Sequence, residues 1–153
     1  MVHGDDNAYE RSGPPSFPST LRTRVRSYGD APFIEFRGAW HTGTAVLGLT
    51  ERVWALLEEA AVPPTAAIGV VVRNRPAHAA AVLGFVTQEG SFSMLYAMQS
   101  PAALAADVER LGPAAVVADA EDWSDEVLRA VRGAGAAASS AFAWPRGAVF
   151  RAL

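Results

Sequence analysis

Residues 66–95, AAIGVVVRNRPAHAAAVLGFVTQEGSFSML, constrain this chain most tightly. Ile68 to Val72 is a short apolar run rich in β-branched residues, bounded by Pro63-Pro64 before it and Arg73-Asn74-Arg75-Pro76 after it, and it reads as a buried strand. Pro76 suits the first helical position, where its missing N–H leaves no bond unmade, and Asn74 or Arg75 falls in the capping region. An Ala-rich helix then runs to about Thr87, Gly90 ends it, and Ser91 to Leu95 starts a second apolar run. Strand, helix and strand at this spacing make a right-handed βαβ unit, since two parallel strands need a crossover between them and strand twist fixes its hand.

The flanking segments extend that unit. Residues 1–19, with two early acids, Gly13-Pro14-Pro15 and Pro18, read as a flexible Pro-containing arm. From Ser19 to Tyr28, Leu21, Val25 and Tyr28 recur at helical spacing, and Arg22, Arg24 and Arg26 form a solvated face. Gly29 to Pro32 is a turn, and Phe33–Arg37 and Ala39–His41 around Gly38 form a small hairpin. Thr42 or Thr44 then caps a helix to about Ala61, with Val46, Leu49, Val53, Leu56, Leu57 and Ala60 as its apolar stripe.

After the central unit, Ser100-Pro101 opens a helix to Leu111, and Gly112-Pro113 stops it. Ala114 to Ala118 is another buried strand, and Ser124 to Arg132 another helix, closed by Gly133. The alternation predicts an α/β domain over residues 20–135, with a mainly parallel sheet covered by helices on both faces and preceded by a β-hairpin. Residues 136–153 form an apolar, Ala-rich tail with room for one more strand near Ser140 to Trp144.

Composition narrows the function classes. The net charge of −3 offers no basic footprint for a phosphate backbone, so nucleic acid is excluded as the expected partner. No apolar run approaches the ~20 residues needed to span a bilayer, and the acidic N-terminus lacks the features of a signal peptide, so the expectation is a cytoplasmic protein without a membrane role. With no cysteine, disulfides, thiolate metal sites and cysteine nucleophiles are absent. All thirteen Lys or Arg residues are Arg, so the chain supplies no lysine chemistry of its own.

The remaining constellations yield no assignable site. His3, His41 and His78 lie on an arm, a hairpin and a helix without metal-ligand spacing, and read as surface or edge histidines. Asp119, Glu121 and Asp122 sit where a strand meets a loop, the usual ligand end of an open α/β sheet, but read as caps for the helix that starts at Ser124. Ser139-Ser140 lacks the G-x-S-x-G context of a hydrolase elbow, and Gly84 and Gly90 do not build a dinucleotide fingerprint. No catalytic, cofactor-binding or metal-ligating residue is assigned.

The element order, with the strand ending in Arg73-Asn74-Arg75-Pro76, the segment Leu95 to Pro101 and the strand Ala114 to Asp119, resembles the N-terminal subdomain of the adenylate-forming superfamily: acyl-CoA synthetases, peptide-synthetase adenylation domains and luciferases. The resemblance covers about residues 21–123. Trp40-His41-Thr42 takes the place of a usual Thr-Tyr pair and lacks the Tyr, and LYAMQSP departs from a usual V-P-L-N-P segment. The resemblance implies a fragment of the large N-terminal domain of such an enzyme. It also implies a chemistry in which a carboxylate attacks the α-phosphate of ATP with magnesium, served by a Gly- and Ser/Thr-rich phosphate loop and lysines that lie later in that family's sequence.

In this chain the nearest counterpart to the phosphate loop is Ser139 to Val149, whose Pro145-Arg146-Gly147 is similar to the family's Pro-Lys-Gly but lacks the glycines that let backbone N–H groups wrap a phosphate. Two functional expectations follow. One is a truncated or split acid-activating ligase, with no cofactor for this chain alone, whose ATP site a second polypeptide supplies. The other is a non-catalytic interaction or scaffold module that kept the fold, lost the site and self-associates. A remnant without a selected role is a third.

Overall fold

The computed structural model describes residues 15–139. Helix α1 (Phe17–Tyr28) starts earlier than its apolar spacing suggests, because Ser16 caps it and Pro18 sits in its first turn. The hairpin follows as antiparallel strands β1 (Pro32–Phe36) and β2 (Ala39–Thr42). Its turn places Arg37 and Gly38 at φ 52° and 81°, the left-handed pair whose twist suits a two-residue hairpin. Of the two candidate caps for helix α2 (Gly43–Glu59), Thr42 is the one used, its Oγ1 accepting from the Ala45 N–H at 3.1 Å. Gly43 lets α2 start against α1: a Cβ there would lie 2.8 Å from Tyr28 Cβ.

The second sheet holds four parallel strands in the order β4-β3-β5-β6: β3 (Ile68–Val72), β4 (Phe92–Tyr96), β5 (Ala115–Val117) and β6 (Ala137–Ser139). Helices α3 (Pro76–Thr87), α4 (Pro101–Leu111) and α5 (Asp125–Gly133) make the crossovers. The α/β class, the parallel sheet and the preceding hairpin are therefore as the sequence alternation predicts. Alternate residues of the strands serve two cores. Ile68, Val70, Ala115 and Val117 face Val25, Val46, Val53, Ala80 and Phe85 on α1, α2 and α3. Val71, Leu95, Val116 and Ala118 face Leu104, Val108, Val127 and Val131 on α4 and α5. Each buried aliphatic side chain is worth about 1.5–3 kcal/mol of transfer free energy, so this two-sided burial of very short strands carries the domain.

Helix α3 is buried on most of its surface, and its small residues allow close approach to α2. Gly84 lies over Thr50, where a Cβ would fall 2.6 Å from Thr50 Cγ2, and the Thr50 hydroxyl is shared between the carbonyls of Ala80 (3.1 Å) and Val46 (3.2 Å). Gly90 does not terminate α3 as expected. Glu89 takes the left-handed conformation at φ 60°, and Gly90 is required for space, since a Cβ would stand 2.9 Å from the Trp54 ring. Likewise Gly133 is the last residue of α5, and the turn after it uses Gly135 at φ 66°. The strand expected at Ser140 to Trp144 lies outside the described residues; the strand present is β6, which ends at Ser139. Among the described residues no helix is long and apolar enough to cross a membrane.

Candidate functional site

The strand order fixes where a ligand crevice belongs. From β3 the chain crosses by α3 to β4 on one side, then by α4 back past β3 to β5 on the other, so the topological switch point lies between the C-terminal ends of β3 and β5. Two loops meet there: Arg73-Asn74-Arg75, between β3 and α3, and Asp119 to Trp123, after β5.

The first loop is short because Pro76 starts α3 at once, with Arg75 extended at the N-cap. A tight turn, in which the Arg75 N–H donates to the Arg73 carbonyl at 2.8 Å, sends the Arg73 and Arg75 side chains toward the same partners. The second loop folds into a single 3₁₀ turn, Ala120–Asp122, held by a capping box in which the Asp119 side chain takes the Asp122 N–H and the Asp122 carboxylate takes the Asp119 N–H. This corrects the expectation that these acids cap α5. That helix is capped by Ser124 alone, whose Oγ accepts from the Val127 N–H at 3.3 Å.

The freed charges pair across the switch point. The Arg73 guanidinium grips Asp122 and lies 3.2 Å from Glu121, and Arg75 spans Asp119 at 2.5 Å and Glu121 at 2.7 Å. Asp122 is only 3% exposed, so its charge is held almost wholly by protein. The Asp122 hydrogen bond raises the Arg73 guanidinium further above its ordinary range, against desolvation and with help from the Asp122, Glu121 and Asp119 charges. For Asp119, burial pushes the carboxyl up, but its hydrogen bond to His78 and the charges of His78, Arg75 and Arg73 outweigh that and hold it below the usual carboxylate range.

His78 completes the cluster and overturns its reading as a surface histidine: its side chain is 2% exposed. Its Nε2 meets Asp119 at 3.1 Å, and its Nδ1 lies 3.0 Å from the Arg73 backbone nitrogen and 3.1 Å from the Val71 carbonyl oxygen. The imidazole thus ties the end of β3, the start of α3 and the end of β5 into one unit. His41 lies on β2, far along the chain from this cluster, and His3 lies outside the described residues.

Chemically, the cluster is closed. Each of the three carboxylates meets one or both of the two guanidiniums, and the one imidazole is engaged at both nitrogens. Among the described residues no group of His, Asp and Glu is arranged to hold a metal ion. The arginines of α1 divide. Arg22 reaches across to donate to the Thr87 carbonyl at the end of α3, while Arg24 and Arg26 stay exposed as expected. The stretch compared with a phosphate loop, Ser139 to Val149, lies outside the described residues apart from the last residue of β6. Beside the cluster, a groove of about 430 Å³ runs along β4, lined by Val72, Arg75, Ala79, Val82, Leu83 and Met94 among others.

The sequence held two signals for this assembly. Arg73 and Arg75 stand together between a strand and a helix-starting Pro76, and Asp119 and Asp122 stand three apart, the spacing of a capping box. Their pairing needed β3 and β5 to be known as neighbours.

This geometry can be set beside known proteins. No family model and no curated protein matches the sequence. Solved structures do match. ATP-bound MatB from Rhodopseudomonas palustris aligns at a TM-score of 0.64 and 18% identity, over 79% of this chain and 25% of that one. A mutant form of coronafacic acid ligase from Pectobacterium brasiliense aligns at 0.64 and 14%, over 76% and 23%. The luciferase-like enzyme from the nonluminescent Zophobas morio mealworm aligns at 0.62 and 15%, over 80% and 31%. The fold is therefore the one shared with a portion of adenylate-forming enzymes, as the sequence resemblance implied. The chain spans about a quarter of the length of the MatB chain it matches.

Proposed function

We propose that this chain is a truncated or split adenylate-forming ligase of the acyl-CoA synthetase type, which does not form adenylates by itself. One observation carries the reading: the described domain superposes on about a quarter of ATP-bound MatB, while the sequence has no lysine to offer a phosphate. In this reading a second polypeptide brings the phosphate loop, the magnesium-binding acid and the lysines, and with them ATP; this chain supplies a wall on the acid-binding side. The cysteine-free composition fits a reducing compartment, and we place the pair in the cytoplasm.

The test is a pull-down of the intact tagged chain from its host lysate, followed by pyrophosphate exchange with candidate carboxylic acids. A stoichiometric protein carrying a Gly/Ser/Thr-rich loop with Lys, active only in the mixture, is the expected result. No exchange with any captured partner would sink it. The closed ion-pair cluster favours a second reading, a scaffold that kept the fold and lost its site, because the crevice where a ligand belongs is filled by the chain's own charges. That reading expects no nucleotide binding by the chain, and none by an Arg75→Ala or Glu121→Gln variant that opens the cluster.

A further inference from the structure

We propose that β4 is a self-pairing edge, through which two copies of this chain join antiparallel about a two-fold axis at Met94 into one continuous sheet. The inference does not depend on the synthetase reading. It starts from the position of β4, the outer strand of the four-stranded sheet, whose one partner strand among the described residues is β3. Ser91 accepts from the Ile68 N–H at 3.0 Å, so in the parallel ladder Ser91, Ser93 and Leu95 turn their peptide groups to β3. Phe92, Met94 and Tyr96 turn theirs away from the sheet.

Their side chains share one face, where Phe92 stacks on Phe85 and the rest is open. Leu95 and Ala97 on the other face are buried against α4 and α5, but Met94 and Tyr96 are each 64% exposed and Met98, just beyond, is 69% exposed. No charge, proline or bulge protects this edge, the devices by which exposed strands avoid pairing. Indeed residues 90–106, GSFSMLYAMQSPAALAA, contain no Asp, Glu, Lys, Arg or His.

These features select a second copy as the occupant. A two-fold axis brings residues near their own symmetry mates, where any charge would meet a like charge, and an uncharged strand avoids that cost. Centred on Met94, the pairing sets Phe92 opposite the partner copy's Tyr96 and Met94 opposite its own mate. All three outward-facing residues then fall in hydrogen-bonded pairs at once. Aromatic–aromatic pairs across strands are among the stabilising ones. Met94, Tyr96 and Met98, each about two-thirds exposed, at ~200 Å² each, offer about 400 Å² per copy. With the paired backbones, two copies approach the ~1,000 Å² that a specific interface needs. In the adjoining groove, Val72, Ala79, Val82 and Leu83 give the added side chains an apolar wall, and Arg73 and Arg75, paired to the acids of the next loop, stand at its other end.

The test uses the full chain. Sedimentation or light scattering should find twice the 16.1 kDa chain mass. Met94→Lys and Met94→Glu should each be monomeric, with helix content unchanged by circular dichroism, and mixing them in equal amounts should restore a dimer, because residue 94 meets itself. Since the chain has no cysteine, Met94→Cys gives an independent check: the mated Cα atoms would lie ~5.5 Å apart, within disulfide reach. It should oxidise to a covalent dimer at least about tenfold faster than Glu126→Cys on the exposed side of α5, by effective concentration. A native chain that stays monomeric at tens of micromolar overturns the proposal. So does a dimer that survives both charged variants, or Met94→Cys that oxidises no faster than the control.

Discussion

The two flanks of β3 are built on opposite terms. Toward β5, the C-terminal end of the sheet is locked by Arg73, Arg75 and His78 against Asp119, Glu121 and Asp122, so that each charge has a partner within the chain. Toward β4, the outward surface is apolar, uncharged and open. The contrast teaches where this domain can still act. The place where open α/β sheets usually bind ligands holds two loops together, while among the described residues β4 is a sheet edge with one side unpaired. One flank is specified by charge geometry, the other by its absence.

The comparison breaks most visibly at Arg73. Arg73→Ala leaves Asp122 buried without its counter-charge and loosens Asp119 and Glu121 as well, and should cost about 2–3 kcal/mol in urea unfolding, below the full range for buried pairs because the guanidinium keeps some contact with water. Next comes His78→Ala. It strands the Arg73 N–H and removes one partner of Asp119, for about 1–2 kcal/mol, and His78→Gln should recover part of that by restoring polar contacts.

Smaller still is the pH response of Asp119. Its folded carboxyl titrates below the ordinary carboxylate range, so the folded state binds that proton less readily than the unfolded chain does. The stability this contributes is complete above about pH 4–5 and is lost as pH falls through the depressed folded value. Asp119→Asn should therefore flatten the fall of unfolding free energy between neutral and strongly acidic pH; a slope equal to that of the parent would show that the clasp does not work through this charge. At the other flank, Met94→Lys should leave monomer stability within about 0.5 kcal/mol, since it adds a charge where water already reaches. A large loss there would mean β4 is not an open edge.

The elements were legible in the residues because their signals are local. Pro76 and Pro101 mark helix starts, Thr42, Ser100 and Ser124 are caps whose hydroxyls accept bonds from N–H groups three residues on, and Ile68 to Val72 reads as buried through its continuous β-branched run. Where the sequence misled, a contact from elsewhere had intervened. Gly90 looks like a helix stop but is small because Trp54, from α2, lies over it. His78 looks like a surface residue of an Ala-rich helix, yet its first-turn position turns it under Asp119, from the loop after β5 forty-one residues on.

By itself, then, the sequence determined the α/β class, the parallel alternation and the absence of thiol and lysine chemistry, since periodicity, caps and composition are properties of neighbouring residues. Tertiary structure alone decided that β3 lies between β4 and β5. That placement brings two arginines and a histidine onto three acids and leaves Met94 and Tyr96 uncovered. Strand order is set by crossovers packing on opposite faces of the sheet, and a charge or an apolar side chain acquires its role only from what that packing sets beside it.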